Sequence, residues 1–312
     1  MKDFLFLNYD WVPNSTYLFK CFEACGYECD YVNEQTLQNF VPRYKYRVVV
    51  AYLHEPWQLP LINHLRHTYL SNSYWVQHDD TDEEHVQQWF DTAPDLIIQR
   101  EVTARTVNPY NKPLYPQHFP IASIYRPEHQ EKTIDVVFIG TPSNPRRAPF
   151  VQKLIELSKT SLSHLSWGLM YQNGKNPALN IRAINSAKIG VNFPGNSYDS
   201  WRIWEYASAG IGILMPELPL KSVRNDHQPF NEYVRFHADL RDLEEKIVWM
   251  LEEDRWSAWG KKARLSYLTF HTPEKCFEHY HEIMIRHAPI QPRLAVKMSA
   301  EPFYESWRKR PV

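Results

Sequence analysis

The sequence predicts an α/β protein made of two Rossmann-like domains, and three observations predict it. At 312 residues the chain is long enough for about two domains. Apolar runs of strand length alternate with helical patterns along most of it, the order that builds open, largely parallel sheets. Between residues 108 and 132 the alternation lapses into a stretch holding five prolines, Pro109, Pro113, Pro116, Pro120 and Pro127, which reads as the crossing between domains. The expected division is 1–120, 121–290 and a tail of 291–312.

The first domain opens on a strand over 3–8, too short and too soon polar for a signal peptide. A loop through Asp10 follows. Asn14 or Ser15 then caps a helix to about Cys25, and Tyr27 to Val32 resumes an extended pattern. Arg47 to Leu53 is a strand centred on Val48-Val49-Val50. It ends at His54-Glu55-Pro56, ahead of a helix from about Gln58 to Leu70. Ser73 to Gln77 is the next strand, running into His78-Asp79-Asp80-Thr81-Asp82. A helix near 83–90 and a strand at Asp95 to Gln99 complete the series. Open sheets bind ligands beyond the carboxyl ends of their strands, and Asp10, His54 and Asp79 all fall there. Any of the three is a candidate general base, although a solvated loop residue is the ordinary reading of each.

The second domain opens on Ile134-Asp135-Val136-Val137-Phe138-Ile139-Gly140, a buried strand. A glycine at its end lets a ligand approach the main chain. Arg146 or Arg147, at the start of a helix running to about Ser158, could reach its phosphates. Leu162 to Gly168 reads as a strand and Ala178 to Ser186 as a short helix. Beyond Pro216 come a loop over 217–231, a strand at Tyr233 to Phe236, and helices over 240–251, 254–267 and 273–286. Thr272 caps the last of these, with Pro273 in its first turn. The tail over 302–307 is expected to form a helix returning to the first domain.

The chain is organised around residues 187–216. Ile189-Gly190-Val191-Asn192-Phe193 is a strand, and Pro194-Gly195-Asn196-Ser197-Tyr198 a polar turn. Asp199 or Ser200 caps a helix from Trp201 to Ala209, Gly210 stops it, and Ile211 to Met215 is a second strand. Arg202 and Glu205, three apart, share one helix face near its start. A positive helix terminus, an arginine and a carboxylate together suit phosphates joined to a hydroxylated sugar.

The segment Asp199-Ser200-Trp201-Arg202-Ile203-Trp204-Glu205-Tyr206-Ala207-Ser208-Ala209-Gly210 resembles the donor site of GT-B glycosyltransferases, in particular the CgeB-like group, with an arginine three residues before the glutamate. The resemblance covers most of the second half of the chain and implies two Rossmann-like domains facing a cleft. It implies transfer of a sugar from a nucleotide-sugar donor, bound by the second domain, to a hydroxyl of a glycan or other acceptor on the first. It implies that Glu205 holds the ribose, with Arg202 and Arg146 or Arg147 on the diphosphate. A related pattern of two acids separated by seven residues is broken, because Ser197 stands at the first acidic position. The donor-side candidates are therefore Gly140, Arg146, Arg147, Asp199, Ser200, Arg202 and Glu205.

Positioned cations can replace a metal at a leaving diphosphate, so no cofactor and no metal are expected beyond the nucleotide-sugar co-substrate. The triplet Asp80-Thr81-Asp82 keeps a metal-dependent GT-A reading open, against an acidic helix start. A sugar-nucleotide epimerase and a non-catalytic nucleotide- or glycan-binding module also remain open. A net charge of −1 argues against a nucleic-acid partner. No apolar run reaches membrane-span length, and four cysteines, Cys21, Cys25, Cys29 and Cys276, read as reduced thiols of a cytoplasmic protein rather than a metal cluster.

Overall fold

The structure, a computed structural model, describes residues 1–8, 13–53, 58–79, 85–100, 102–116, 131–142, 144–171, 177–195, 198, 200–219, 230–296 and 298–300. The chain divides into two units. The first takes in the described residues of Met1–Phe119 and Pro273–Val312, the second those of Pro120–Leu220 and Gln228–Thr272.

In the first unit the elements run β1 (Lys2–Asn8), α1 (Pro13–Ala24), β2 (Cys29–Asn33), α2 (Glu34–Leu37), β3 (Tyr46–Leu53), α3 (Leu59–Thr68), β4 (Tyr74–Asp79), β5 (Leu96–Gln99) and β6 (Leu114–Pro116). The six strands are parallel, in the order β2-β1-β3-β4-β5-β6. Helices cover both faces of such a sheet, so its strands are apolar throughout rather than alternating. Phe4 to Leu7, Val48 to Tyr52 and Leu96 to Ile98 are accordingly all buried. The chain leaves β1 toward β2 on one side and returns as β3 on the other. That reversal marks the place where open sheets take ligands.

Two elements here were not foreseen: α2, begun by the Asn33 side chain accepting from the Thr36 amide at 2.9 Å, and the edge strand β6. The helix expected near 83–90 is absent from its described part, 85–90. Val86 instead donates to the Val107 carbonyl at 3.1 Å, the Gln87 carbonyl accepts from Gln77 Nε2 at 2.8 Å, and the Phe90 amide donates to the Tyr110 hydroxyl at 3.0 Å. Bonds to distant partners displace the helical ladder.

The second unit runs β7 (Ile134–Ile139), α4 (Ala148–Lys159), β8 (Trp167–Met170), α5 (Pro177–Asn185), β9 (Ala187–Val191), α6 (Trp201–Ala209), β10 (Gly212–Pro216), β11 (Val234–Phe236), α7 (Leu243–Leu251) and α8 (Arg255–Ser266), which passes into a π-helical turn at Tyr267–His271. Its five strands are parallel in the order β11-β10-β9-β7-β8. One face packs Val136, Phe138, Ile189 and Val191 with α4 and α7, the other Val137, Ile139 and Ile213 with α6 and α8. The strand expected at 162–168 starts only at Trp167. Leu162 is buried in the preceding turn, where its carbonyl accepts from the Trp167 indole at 3.0 Å.

The last helix, α9 (Pro273–His287), packs with the first unit, whereas the expected division placed it in the second. Phe277 meets Phe22 edge-on at 5.4 Å, Tyr280 stacks on His78 at 5.4 Å, and the Tyr27 hydroxyl lies 3.1 Å from His281 Nε2. The tail continues along the same unit: the Gln291 carbonyl accepts from Tyr27 and that of Met298 from Tyr17, while the Val296 amide donates to Cys25 Sγ. The helix expected at 302–307 lies outside the described residues. All four cysteines are free thiols.

Candidate donor site on the second sheet

The switch point of the second sheet lies between β7 and β9, because β8 flanks β7 on one side and the chain returns on the other. The two strands end at Ile139 and Val191, and the main chain continues through Gly140 and through Asn192-Phe193-Pro194-Gly195. Two arginines reach these two strand ends. Arg147, at the N-terminus of α4, donates to the Phe193 carbonyl from Nε at 3.2 Å and from Nη2 at 2.9 Å. Arg202, in the first turn of α6, donates from Nε to the Ile139 carbonyl at 3.3 Å.

Local sequence explains how α6 arrives here. Ser200 is extended, and its hydroxyl accepts from the Arg202 amide. Gly210 ends the helix at φ +68°, a left-handed conformation that costs glycine little. Gly190 lets the helix close on the sheet, since a Cβ there would fall 2.5 Å from the Tyr206 ring. Arg202 and Glu205 form an ion pair on the first turns of α6, with both side chains largely buried.

Arg147 is a partly buried cation. Burial pushes its guanidinium below the ordinary arginine value; Tyr206 acts in the opposite sense, and Arg202 adds to the lowering. It stays protonated, since arginine does not lose its proton in proteins. Among the described residues no carboxylate pairs with it. Two cations at one sheet edge, one of them desolvated, are stabilised by an anion placed between them.

The sequence could not choose between Arg146 and Arg147, and the structure separates them. Arg146 is exposed, with its guanidinium 6.0 Å from the Tyr198 ring centre. Gly140, at the end of β7, lies close to Arg147: a Cβ there would lie 3.0 Å from the Phe138 ring and 3.2 Å from Arg147 Nη1. Gly195, absent from the sequence candidates, has the same relation to Arg147 from the other side, 2.6 Å from Nη2. Gly140, Arg147, Ser200, Arg202 and Glu205 are thus gathered at one edge. Asp199 lies outside the described residues.

Of the candidate bases, Asp79 ends β4 in the first unit, is fully buried, and accepts from the Arg100 amide through its carbonyl at 2.9 Å. Asp10, His54 and the triplet Asp80-Thr81-Asp82 lie outside the described residues. Among the described residues there is no cluster of three His, Cys, Asp or Glu side chains arranged as metal ligands, and no helix long and apolar enough to cross a membrane.

No family model matches the chain, and no curated protein matches it. Solved structures do. Sucrose-phosphate synthase from Thermosynechococcus elongatus superposes with a TM-score of 0.58 at 10% identity, over 92% of this chain and 99% of that one. Anabaena HepE, solved with UDP and glucose, gives 0.54 at 8%, over 91% and 99%. The pneumococcal O-GlcNAc transferase GtfA, solved with UDP and GlcNAc, gives 0.51 at 11%, over 77% of this chain. The fold is GT-B. The chain spans only 55% of S. aureus TarM and 56% of GtfA. It thus matches the full length of some of these proteins and about half of others.

Proposed function

We propose that this chain is a glycosyltransferase that moves a sugar from a nucleotide-sugar donor to an acceptor hydroxyl without a metal ion. The observation that carries the reading is the pair of arginines, Arg147 and Arg202, held on the two strand-end carbonyls of the switch point beside Glu205. A diphosphate placed there meets two cations and the amino ends of α4 and α6, the kind of preorganised positive field that stabilises a leaving diphosphate. Glu205 is the ribose ligand in this reading. Carboxylate oxygens accept hydrogen bonds, the interaction that ribose hydroxyls offer. The finer CgeB-like assignment rests on the three-residue spacing of Arg202 and Glu205, and a cytoplasmic site of action goes with it. HepE was solved with UDP-glucose as well as with UDP, which makes uridine nucleotides the first ligands to test.

Calorimetry with UDP and GDP tests the reading. Glu205→Ala is expected to lower affinity for the preferred nucleotide about tenfold or more, the worth of one charged hydrogen bond, while thermal unfolding shows the fold intact. Equal affinity of variant and parent for every nucleotide tried would remove Glu205 from the site. One observation favours a second reading, a binding module without transfer: Ser197 stands where a second acid is expected. A screen of sugar nucleotides for donor hydrolysis separates the two, since a pure binder releases no sugar.

A further inference from the structure

Asn192 is the first residue beyond β9, and its environment is unlike that of the residues around it. Its amide continues the ladder with β10, donating to the Leu214 carbonyl at 2.8 Å, so the alternation of the strand still holds at this position. Ile189 and Val191 face the α4 and α7 side, and Phe193 packs there too, stacked on Phe150 at 4.9 Å. Gly190 faces the other side, against Tyr206 of α6. Asn192 therefore points toward α6, at the sheet edge where Arg202 holds the Ile139 carbonyl. The residue is 2% exposed, and its side-chain Nδ2 is buried with no hydrogen-bond partner. Leaving a buried amide donor unpaired is destabilising, and apolar residues of similar size would avoid it. A buried donor without a partner, next to the strand ends where the two arginines sit, calls for an acceptor, and a bound ligand is one group that supplies it.

The geometry points to Asn192 as a donor-binding residue whose side-chain amide donates to a diphosphate oxygen of the nucleotide sugar. The inference rests on the nucleotide-sugar reading and adds a neutral, directional donor to its two arginines. Asn192 Nδ2 is the group that lacks an acceptor, and a diphosphate supplies several oxygens within the span of one sheet edge. A base or a ribose would place fewer anionic oxygens there. Arginine charge attracts the diphosphate from many directions, whereas a single buried amide fixes which oxygen faces α6.

Calorimetry with UDP, UMP, GDP and GMP on the parent, Asn192→Ala, Asn192→Ser and Asn192→Asp tests this, with thermal unfolding run in parallel. Asn192→Ala is expected to weaken the preferred diphosphate about tenfold and the matching monophosphate less than about threefold, since the amide bond goes to the diphosphate group. The serine hydroxyl recovers part of the loss, and the aspartate, which sets a negative charge against the phosphates, deepens it. Parent protein that binds neither UDP nor GDP overturns the nucleotide reading and this inference with it. Parent protein that binds while Asn192→Ala binds equally well overturns this inference alone, with a water as the amide's partner. Equal losses for diphosphate and monophosphate also overturn it. Should Asn192→Ala fail to unfold cooperatively, the serine variant decides by the same comparison.

Discussion

Gly195→Ala probes the site through space that is already filled. A Cβ at 195 would lie 2.6 Å from Arg147 Nη2 and 2.9 Å from its Cζ, and ordinary contact begins near 3.4 Å. The guanidinium must therefore retreat by about 0.8 Å, the difference between 3.4 and 2.6 Å. It is the far end of a flexible side chain, so the main chain need not follow. A retreat of that size directed away from the Phe193 carbonyl stretches the 2.9 Å bond to at most about 3.7 Å, beyond hydrogen-bonding reach. Hydrogen bonds to charged groups contribute about 1.5–3 kcal/mol. Arg147 also gains solvent as it leaves, so the expected loss of folding stability is about 1 kcal/mol. The expected loss of UDP or GDP affinity is larger, about tenfold, because a displaced cation no longer meets the phosphates. Urea unfolding measures the first and calorimetry the second. Unchanged nucleotide affinity in a folded Gly195→Ala protein would refute the placement of Arg147 at the phosphates.

Three further outcomes follow from the packing and charges. Gly190→Ala drives a Cβ to 2.5 Å from the fully buried Tyr206 ring, and overpacking of that kind costs about 1–3 kcal/mol; an unaltered urea midpoint would contradict the close contact of α6 with β9. Burial pushes His78 down from 6.5 to about 3, so its contribution to stability is complete above pH 6.5 and is lost as pH falls toward 3. By pH 5 that loss is about 2 kcal/mol. His78→Phe keeps a ring against Tyr52 and Tyr280 and should remove that share of the acid sensitivity, which urea titrations at pH 7 and pH 5 would reveal; an equal pH slope in both proteins counts against it. EDTA should leave donor hydrolysis unaffected, and a loss restored by added magnesium would favour the metal-dependent alternative.

What could be read from the sequence was local. The helix Trp201–Ala209 is legible to the residue, because its signals, a cap at Asp199 or Ser200 and a stop at Gly210, lie directly at its ends. The central strands were legible because burial on both faces makes them uniformly apolar. Residues 85–90 carry a helical pattern but are held by Val107, Gln77 and Tyr110, and no local signal announces such partners. The helix Pro273–His287 was found, yet the sheet it covers depends on Phe22, Tyr27 and His78, all far away in sequence. The site divides in the same way. Arg202 and Glu205 were visible as a spacing, whereas the burial of Arg147, the room that Gly195 leaves for it and the unpaired amide of Asn192 exist only once β7 and β9 lie side by side.

The most direct test is a crystal of this protein soaked with UDP or GDP. The account predicts electron density for the nucleotide at the carboxyl edge of β7 and β9, with its diphosphate against Arg147 and Arg202 and its ribose hydroxyls on Glu205. A well-ordered nucleotide elsewhere, or an empty edge at saturating concentration, would contradict it.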